Sequence, residues 1–219
     1  MIEISTSILN VEENKSIKVF YDLEASKTDY FHIDVMDGKF VEEDTTKKMM
    51  EFTSQIKNIS NLPLDVHLMV KDTKKYIDEY IPFEPSYITI HKESFNSIKN
   101  LEENIKYIKE QGVKVGISIK PDTDINEIYT VLNEVNLILV MTVEPGKGGQ
   151  RLIPKTINKI KELYKYREEN NLDFYIEADG GINLDTINEV KEAGIDIAVC
   201  GSAIINSDNF AETIKKLKK

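Results

Sequence analysis

The amino-acid sequence predicts an α/β protein built as a single (β/α)8 TIM barrel over residues 1–219. Three observations predict it. Short β-rich runs alternate with longer amphipathic segments rich in Lys and Glu, there are eight such pairs, and the chemically versatile side chains gather at the strand ends. Regular alternation of this kind argues for parallel strands joined by right-handed crossovers. Eight units favour closure into a barrel over the runner-up, an open doubly wound sheet. Each unit averages roughly 27 residues, a lean version of the ~250-residue barrel. No Pro- or Ser-rich linker or low-complexity tract breaks the pattern, so one domain is expected.

In chain order, the first strand is read at 2–9 and its helix at 13–25. The second pair covers 30–36 and 45–58, the third 64–70 and 73–80. In the fourth pair, 87–91 and 96–110, the helical period is plainest: Ile98, Leu101, Ile105 and Ile108 recur at three- and four-residue steps with Lys and Glu between them. The fifth pair is 113–119 and 124–133, the sixth 137–143 and 154–170. The seventh is 174–178 and 184–193, and the eighth 197–200 and 208–218.

Composition narrows the function classes. The chain is 41% hydrophobic and 30% charged, with a formal net charge of −10. No basic stripe of the kind a nucleic-acid binder carries is present, so no nucleic acid is expected as partner. An anionic metabolite would have to be held by local backbone donors or a few placed cations. One cysteine, Cys200, precludes an internal disulfide and fits a reducing compartment. No signal peptide and no run of ~20 apolar residues is read, so a cytoplasmic protein without membrane association is expected.

In a barrel of this kind the chemistry sits at the C-terminal ends of the strands and in the loops that follow. On the second strand His32, Asp34 and Met36 share one face, roughly 7 Å apart at each step. On the third, Asp65, His67 and Met69 do the same, and the seventh runs into Asp179-Gly180-Gly181. A lone inward histidine is most simply a core residue satisfied by hydrogen bonds. Two imidazoles and two carboxylates, all at strand ends, instead suggest one divalent ion. The ligand types suit Zn²⁺, and also Fe²⁺, Mn²⁺ or Co²⁺.

The second and seventh strands lie three apart around a closed ring of eight, so Asp34 and Asp179 would flank a central substrate. Inverting a carbon beside a carbonyl needs one group to remove a proton and another to deliver one to the opposite face. A metal would stabilise the enediolate charge between those steps, with no organic cofactor.

Glycines follow three strands: Gly146, Gly148 and Gly149 after the sixth, Gly180 and Gly181 after the seventh, Gly201 and then Ser202 after the eighth. Any one is explained by a tight turn. Three such loops on one face favour a phosphate held by backbone N–H groups. Neither a Walker loop nor a GxGxxG opening the first turn is present.

The strings Ser7-Ile-Leu9, His32-Ile-Asp34-Val-Met36-Asp-Gly38, Asp65-Val-His67-Leu-Met69-Val, Met141-Thr-Val-Glu-Pro-Gly146, Gly148-Gly-Gln150 and Asp179-Gly-Gly-Ile-Asn183 together resemble the ribulose-phosphate 3-epimerase family. They occur in order across essentially the whole chain. The resemblance implies a metal-dependent isomerase that interconverts D-ribulose 5-phosphate and D-xylulose 5-phosphate by two-base proton transfer at C3. It implies His32, Asp34, His67 and Asp179 as metal ligands, zinc first among the ions, with Asp34 and Asp179 as the acid–base pair.

It further implies that Ser7 and His67 touch substrate, that Met36, Met69 and Met141 line the pocket, and that Gly180, Gly181, Gly201 and Ser202 bind phosphate. Gly146, Gly148 and Gly149 match a loop covering the sugar, and a homo-oligomer is implied. Two loops depart from the family pattern: Lys147 stands where an aromatic residue is usual, and Val41–Thr46 lacks the usual Pro-Asn before a Thr. These departures motivate an alternative substrate, a six-carbon ketose phosphate such as D-allulose 6-phosphate. A non-catalytic phosphometabolite-binding barrel is the reading from a different class. His91 is expected either to touch substrate or to make a local hydrogen bond, and Asp37-Gly38 to serve a turn.

Overall fold

The computed structural model describes residues 1–219. Eight parallel strands close into one barrel in chain order. They are β1 Glu3–Ser7, β2 Tyr30–Met36, β3 Leu64–Met69, β4 Tyr87–His91, β5 Lys114–Ile119, β6 Leu137–Met141, β7 Tyr175–Asp179 and β8 Ile197–Cys200. The ring shuts where β1 pairs with β8, Glu3 beside Ile197 and Thr6 beside Cys200. The helices are α1 Ser16–Ala25, α2 Thr46–Ile59, α3 Thr73–Tyr80, α4 Ile98–Glu110, α5 Lys155–Asn170, α6 Ile187–Ala193, the short α7 Ser202–Ile205 and α8 Phe210–Lys218. None is long and apolar enough to cross a membrane.

Several helices start where a side chain satisfies an orphan N–H. Ser97 caps α4 through Asn100 N at 3.2 Å, and Asn209 caps α8 through Glu212 N at 3.0 Å. One expected helix is absent as such: residues 124–133 form two 3-10 segments, Ile125–Glu127 and Tyr129–Glu134, broken at Ile128. Ile128, Thr130 and Val131 are β-branched and poor helix formers, so a full α-helical turn is not sustained. The loop before them is clamped by Lys159 on α5, whose Nζ donates to the carbonyls of Lys120, Pro121 and Thr123 at 2.8, 3.0 and 2.5 Å.

Strand side chains alternate, and the two faces differ in kind. Outward residues such as Ile33, Val35, Val66, Leu68, Ile88, Ile117, Ile138 and Ile176 are fully buried against the helices. They belong to one cluster of 50 buried residues. Each such side chain contributes roughly 1.5–3 kcal/mol when removed from water. The inward face of β1 to β4 is instead polar, and that contrast positions the site.

Candidate active site

A cavity of about 600 Å³ opens at the C-terminal mouth of the barrel. Ser7, Asp34, Met36, Met69, Met141, Gly146, Gly148, Gly149, Asp179, Gly180, Gly181, Gly201 and Ser202 all line it, gathered from β1, β2, β3, β6, β7, β8 and their loops. His32 and His67 do not. Both are fully buried, and their ring nitrogens reach Asp34 and Asp179 from behind the lining. The expected contact of His67 with substrate therefore has no counterpart in the cavity wall.

The register of β2 on β3 sets Asp34 beside His67 and His32 beside Asp65. Asp34 Oδ1 lies 3.4 Å from His32 Nε2 and 3.5 Å from His67 Nδ1. Asp179 Oδ2, arriving from β7, lies 4.0 Å from His32 Nε2 and 3.6 Å from His67 Nδ1. All four ligand atoms fall within 4.8 Å of one another. A tetrahedron with metal–ligand bonds of about 2.0 Å has edges of about 3.3 Å, close to these separations. His32 Nε2 and His67 Nδ1 are buried without any hydrogen-bond partner. Orphaned buried nitrogens aimed at two carboxylates are what a metal centre requires and what a packed core avoids. The cluster can thus hold a divalent ion.

The two ligands on β2 are oriented by further partners. His32 Nδ1 is 2.6 Å from Asp65 Oδ2, which also accepts the Ser5 hydroxyl at 2.7 Å. Asp34 Oδ2 accepts the Ser7 hydroxyl at 2.6 Å. The end of β2 is fixed by Thr45, whose Oγ1 donates to Asp34 O at 2.6 Å and accepts from Met36 N at 2.9 Å. Carboxylate–histidine pairs of the His32–Asp65 kind set the tautomer and raise ligand basicity.

The electrostatics are strongly asymmetric. Burial would raise the carboxyl of Asp34, but the positive charge of His32 and the close approach of the His32 and His67 rings hold it well below the usual range. Asp179 is pushed up to about 6, first by burial and then by the charge of Asp34. Two carboxyls of one site driven apart in this way can divide the roles of base and acid. Burial disfavours the His32 cation, yet Asp65 and Asp34 outweigh it and draw a proton on. A divalent ion would answer the same demand for positive charge.

Around the rim, Gly180 (φ +117°) and Gly181 (φ +67°) occupy backbone conformations that L side chains rarely adopt. A Cβ on Gly181 would come within 2.3 Å of Leu152 N, so the chain can pass there only as glycine. The loop 144–150 is braced from within by Gln150, whose Nε2 donates to Glu144 O at 2.6 Å and Lys147 O at 2.8 Å. It rests on the other departing loop, since a Cβ on Gly146 would stand 3.0 Å from Val41 Cβ. Lys147 is an exposed residue of the cavity rim. Asp37 serves a turn, as expected: Oδ1 accepts from Lys39 N and Phe40 N, and Oδ2 from Lys71 N at 2.8 Å, tying the loops after β2 and β3 together.

Sequence reasoning missed part of the constellation. Glu177, two residues before Asp179 on the same face, is fully buried with neither carboxyl oxygen hydrogen-bonded, and burial foremost drives its proton affinity up. Strand alternation alone could have found it. His91, expected to touch substrate or to make a local hydrogen bond, is fully buried, lies outside the cavity lining, makes a local bond to Glu93 Oε2 at 3.0 Å, and also meets His67 Nε2 through its own Nε2 at 2.9 Å. Burial holds it neutral, at about 4. Asn10, Arg151 and Asn206 reach the cavity from loops with no motif to mark them.

Comparison with known proteins gives a consistent result. A sequence profile described as the ribulose-phosphate 3 epimerase family matches residues 3–205. Ribulose-phosphate 3-epimerase of Bacillus subtilis (strain 168) is 35% identical over 219 residues, covering 100% of this chain and 99% of the relative. The chloroplastic ribulose-5-phosphate-3-epimerase of Arabidopsis thaliana is 34% identical over 217 residues, 99% of this chain and 76% of the relative. Among solved structures, a 3-hexulose-6-phosphate synthase superposes with a TM-score of 0.73 at 13% identity, over 99% of this chain and 98% of that one. At that identity the likeness speaks for the barrel alone.

Proposed function

This chain belongs to the ribulose-phosphate 3-epimerase family, and from that premise we propose that it interconverts D-ribulose 5-phosphate and D-xylulose 5-phosphate by moving a proton on and off C3. By class it is an isomerase. The observation that carries the finer reading is the pair Asp34 and Asp179, set on strands three apart around the closed ring and facing one cavity. One carboxylate takes the C3 proton from one face of the sugar, and the other delivers a proton to the opposite face. The roles exchange with the direction of reaction. Asp34 turns Oδ1 toward the histidines and Oδ2 toward Ser7, so Oδ2 is the oxygen poised to exchange a proton.

His32, Asp34, His67 and Asp179 would hold the ion, with Zn²⁺ the first expectation from two imidazoles and two carboxylates. Bound there, a divalent ion supplies charge stabilisation for the enediolate formed between the two proton transfers. Met36, Met69 and Met141 give the cavity a soft apolar wall that keeps water from the reacting carbon. Gly180, Gly181, Gly201 and Ser202 bring backbone to the rim, where N–H groups can receive the phosphate. Incubation with D-ribulose 5-phosphate in D₂O tests the scheme. Solvent deuterium should appear at C3 of the product, and retention of the original hydrogen would exclude two-base transfer.

A further inference from the structure

We propose that His91 and Glu93 are positioning residues for the metal centre, holding His67 in the tautomer that leaves Nδ1 free for the ion. This inference rests on the metal reading above. A neutral imidazole carries one ring proton, so a histidine that ligates through Nδ1 must carry its proton on Nε2. His67 Nδ1 points at Asp34 and Asp179, while its Nε2 lies 2.9 Å from His91 Nε2. His91 Nε2 can accept there only if the His91 proton sits on Nδ1. That Nδ1 lies 3.0 Å from Glu93 Oε2.

A carboxylate can only accept, so Glu93 fixes every role along the line: it receives from His91 Nδ1, and His91 Nε2 receives from His67 Nε2. Glu93 is itself anchored, since Oε1 accepts Lys120 N at 2.7 Å and the Thr123 hydroxyl. Those residues sit in the loop whose carbonyls Lys159 clamps. Phe40 packs against the His91 ring, with centroids 4.8 Å apart.

The two ligand histidines are thus supported unequally. His32 leans on a carboxylate directly, Asp65 at 2.6 Å, whereas His67 reaches Glu93 only through a second imidazole. Losing the intermediate should free the His67 ring to change tautomer and turn its lone pair away from the cluster. Partners of this kind typically account for about 10–100-fold in metal affinity.

The test uses metal-free full-length protein titrated with Co²⁺ and Zn²⁺ against a competing chelator, alongside long-range ¹H–¹⁵N spectra of the histidine rings. Wild type should bind one equivalent and show His67 protonated at Nε2. His91→Phe should weaken binding by about 10–100-fold, alter the visible spectrum of the Co²⁺ form, and mix the His67 tautomers. Glu93→Gln should act in the same direction more weakly, because an amide cannot accept from both His91 and Lys120 through the same atoms. It also serves should His91→Phe fail to fold. If wild type binds no ion, the metal reading and this inference fall together. If wild type binds and both variants match its affinity, Co²⁺ spectrum and tautomer, the inference alone is overturned.

Discussion

Between the strands and the helices, fifty buried residues form one continuous apolar cluster, while inside the barrel the apolar cluster numbers six, drawn from β4, β6, β8 and Val143 just beyond β6. Other inward positions carry Ser5, His32, Asp34, Asp65, His67, Thr89, His91, Ser118 and Glu177, all buried. Several of their polar atoms lack partners, among them Asp65 Oδ1, Thr89 Oγ1, Ser118 Oγ and both oxygens of Glu177. A buried unsatisfied polar group costs roughly 1–3 kcal/mol. The lumen is therefore a poor source of stability, and the apolar jacket around it offsets the cost. Each strand divides the labour residue by residue: even a single β2 side-chain step, from Ile33 to Asp34, passes from one regime to the other.

This division can be broken or sharpened by experiment. The largest effect belongs to the lumen: Asp34→Asn or Asp179→Asn should lower kcat by about 10²–10⁴-fold, with the chain still folded by circular dichroism. Activity near wild type in either variant would remove that residue from the proton transfer. In the jacket, Leu68→Ala should cost about 2–5 kcal/mol in urea unfolding while leaving kcat/KM near wild type where the protein stays folded. A parallel collapse of activity in the folded variant would mean that the two regions are coupled more tightly than their faces suggest.

The smallest effect lies where the regions meet, at Asp37. Burial would raise its carboxyl, but backbone N–H groups of Lys71, Phe40 and Lys39 outweigh it and lower the folded-state pKa. Its contribution is then fully present above the unfolded value of about 3.9 and is lost as pH falls through the lower folded value. Asp37→Asn should cost about 1–3 kcal/mol at neutral pH, and the gap in urea midpoints should close in acid. A gap that widens in acid would contradict the assignment.

Much of this architecture was legible in the sequence because it is written in short-range periodicity. The second, fourth and eighth strands begin and end where alternation and apolar runs say they should, and the inward set of β2 follows from spacing alone. The segment 124–133 misled because its apolar spacing is helical while its β-branched residues resist a full helix. The link from His91 and Glu93 to the ligand set escaped for a different reason. Their partner His67 is 24 residues from His91, and only the inter-strand register and the reach of two ring nitrogens bring them together. Asn10 and Arg151 escaped because loops carry no period at all, and only closure of the ring gathers them at one mouth.

That closure has a cost in time. The seam pairs Glu3–Thr6 with Ile197–Cys200, and the cavity needs Ser7 from one side of it and Gly201 from the other. On a ribosome adding ~5–20 residues per second, β1 waits roughly ten to forty seconds for its second neighbour to be made. Throughout that interval the growing sheet carries two open edges, each a template for pairing with another chain. Until the last strand arrives, then, a sheet formed during synthesis keeps both edges open to misassembly, and the pairing of β8 with β1 removes them together.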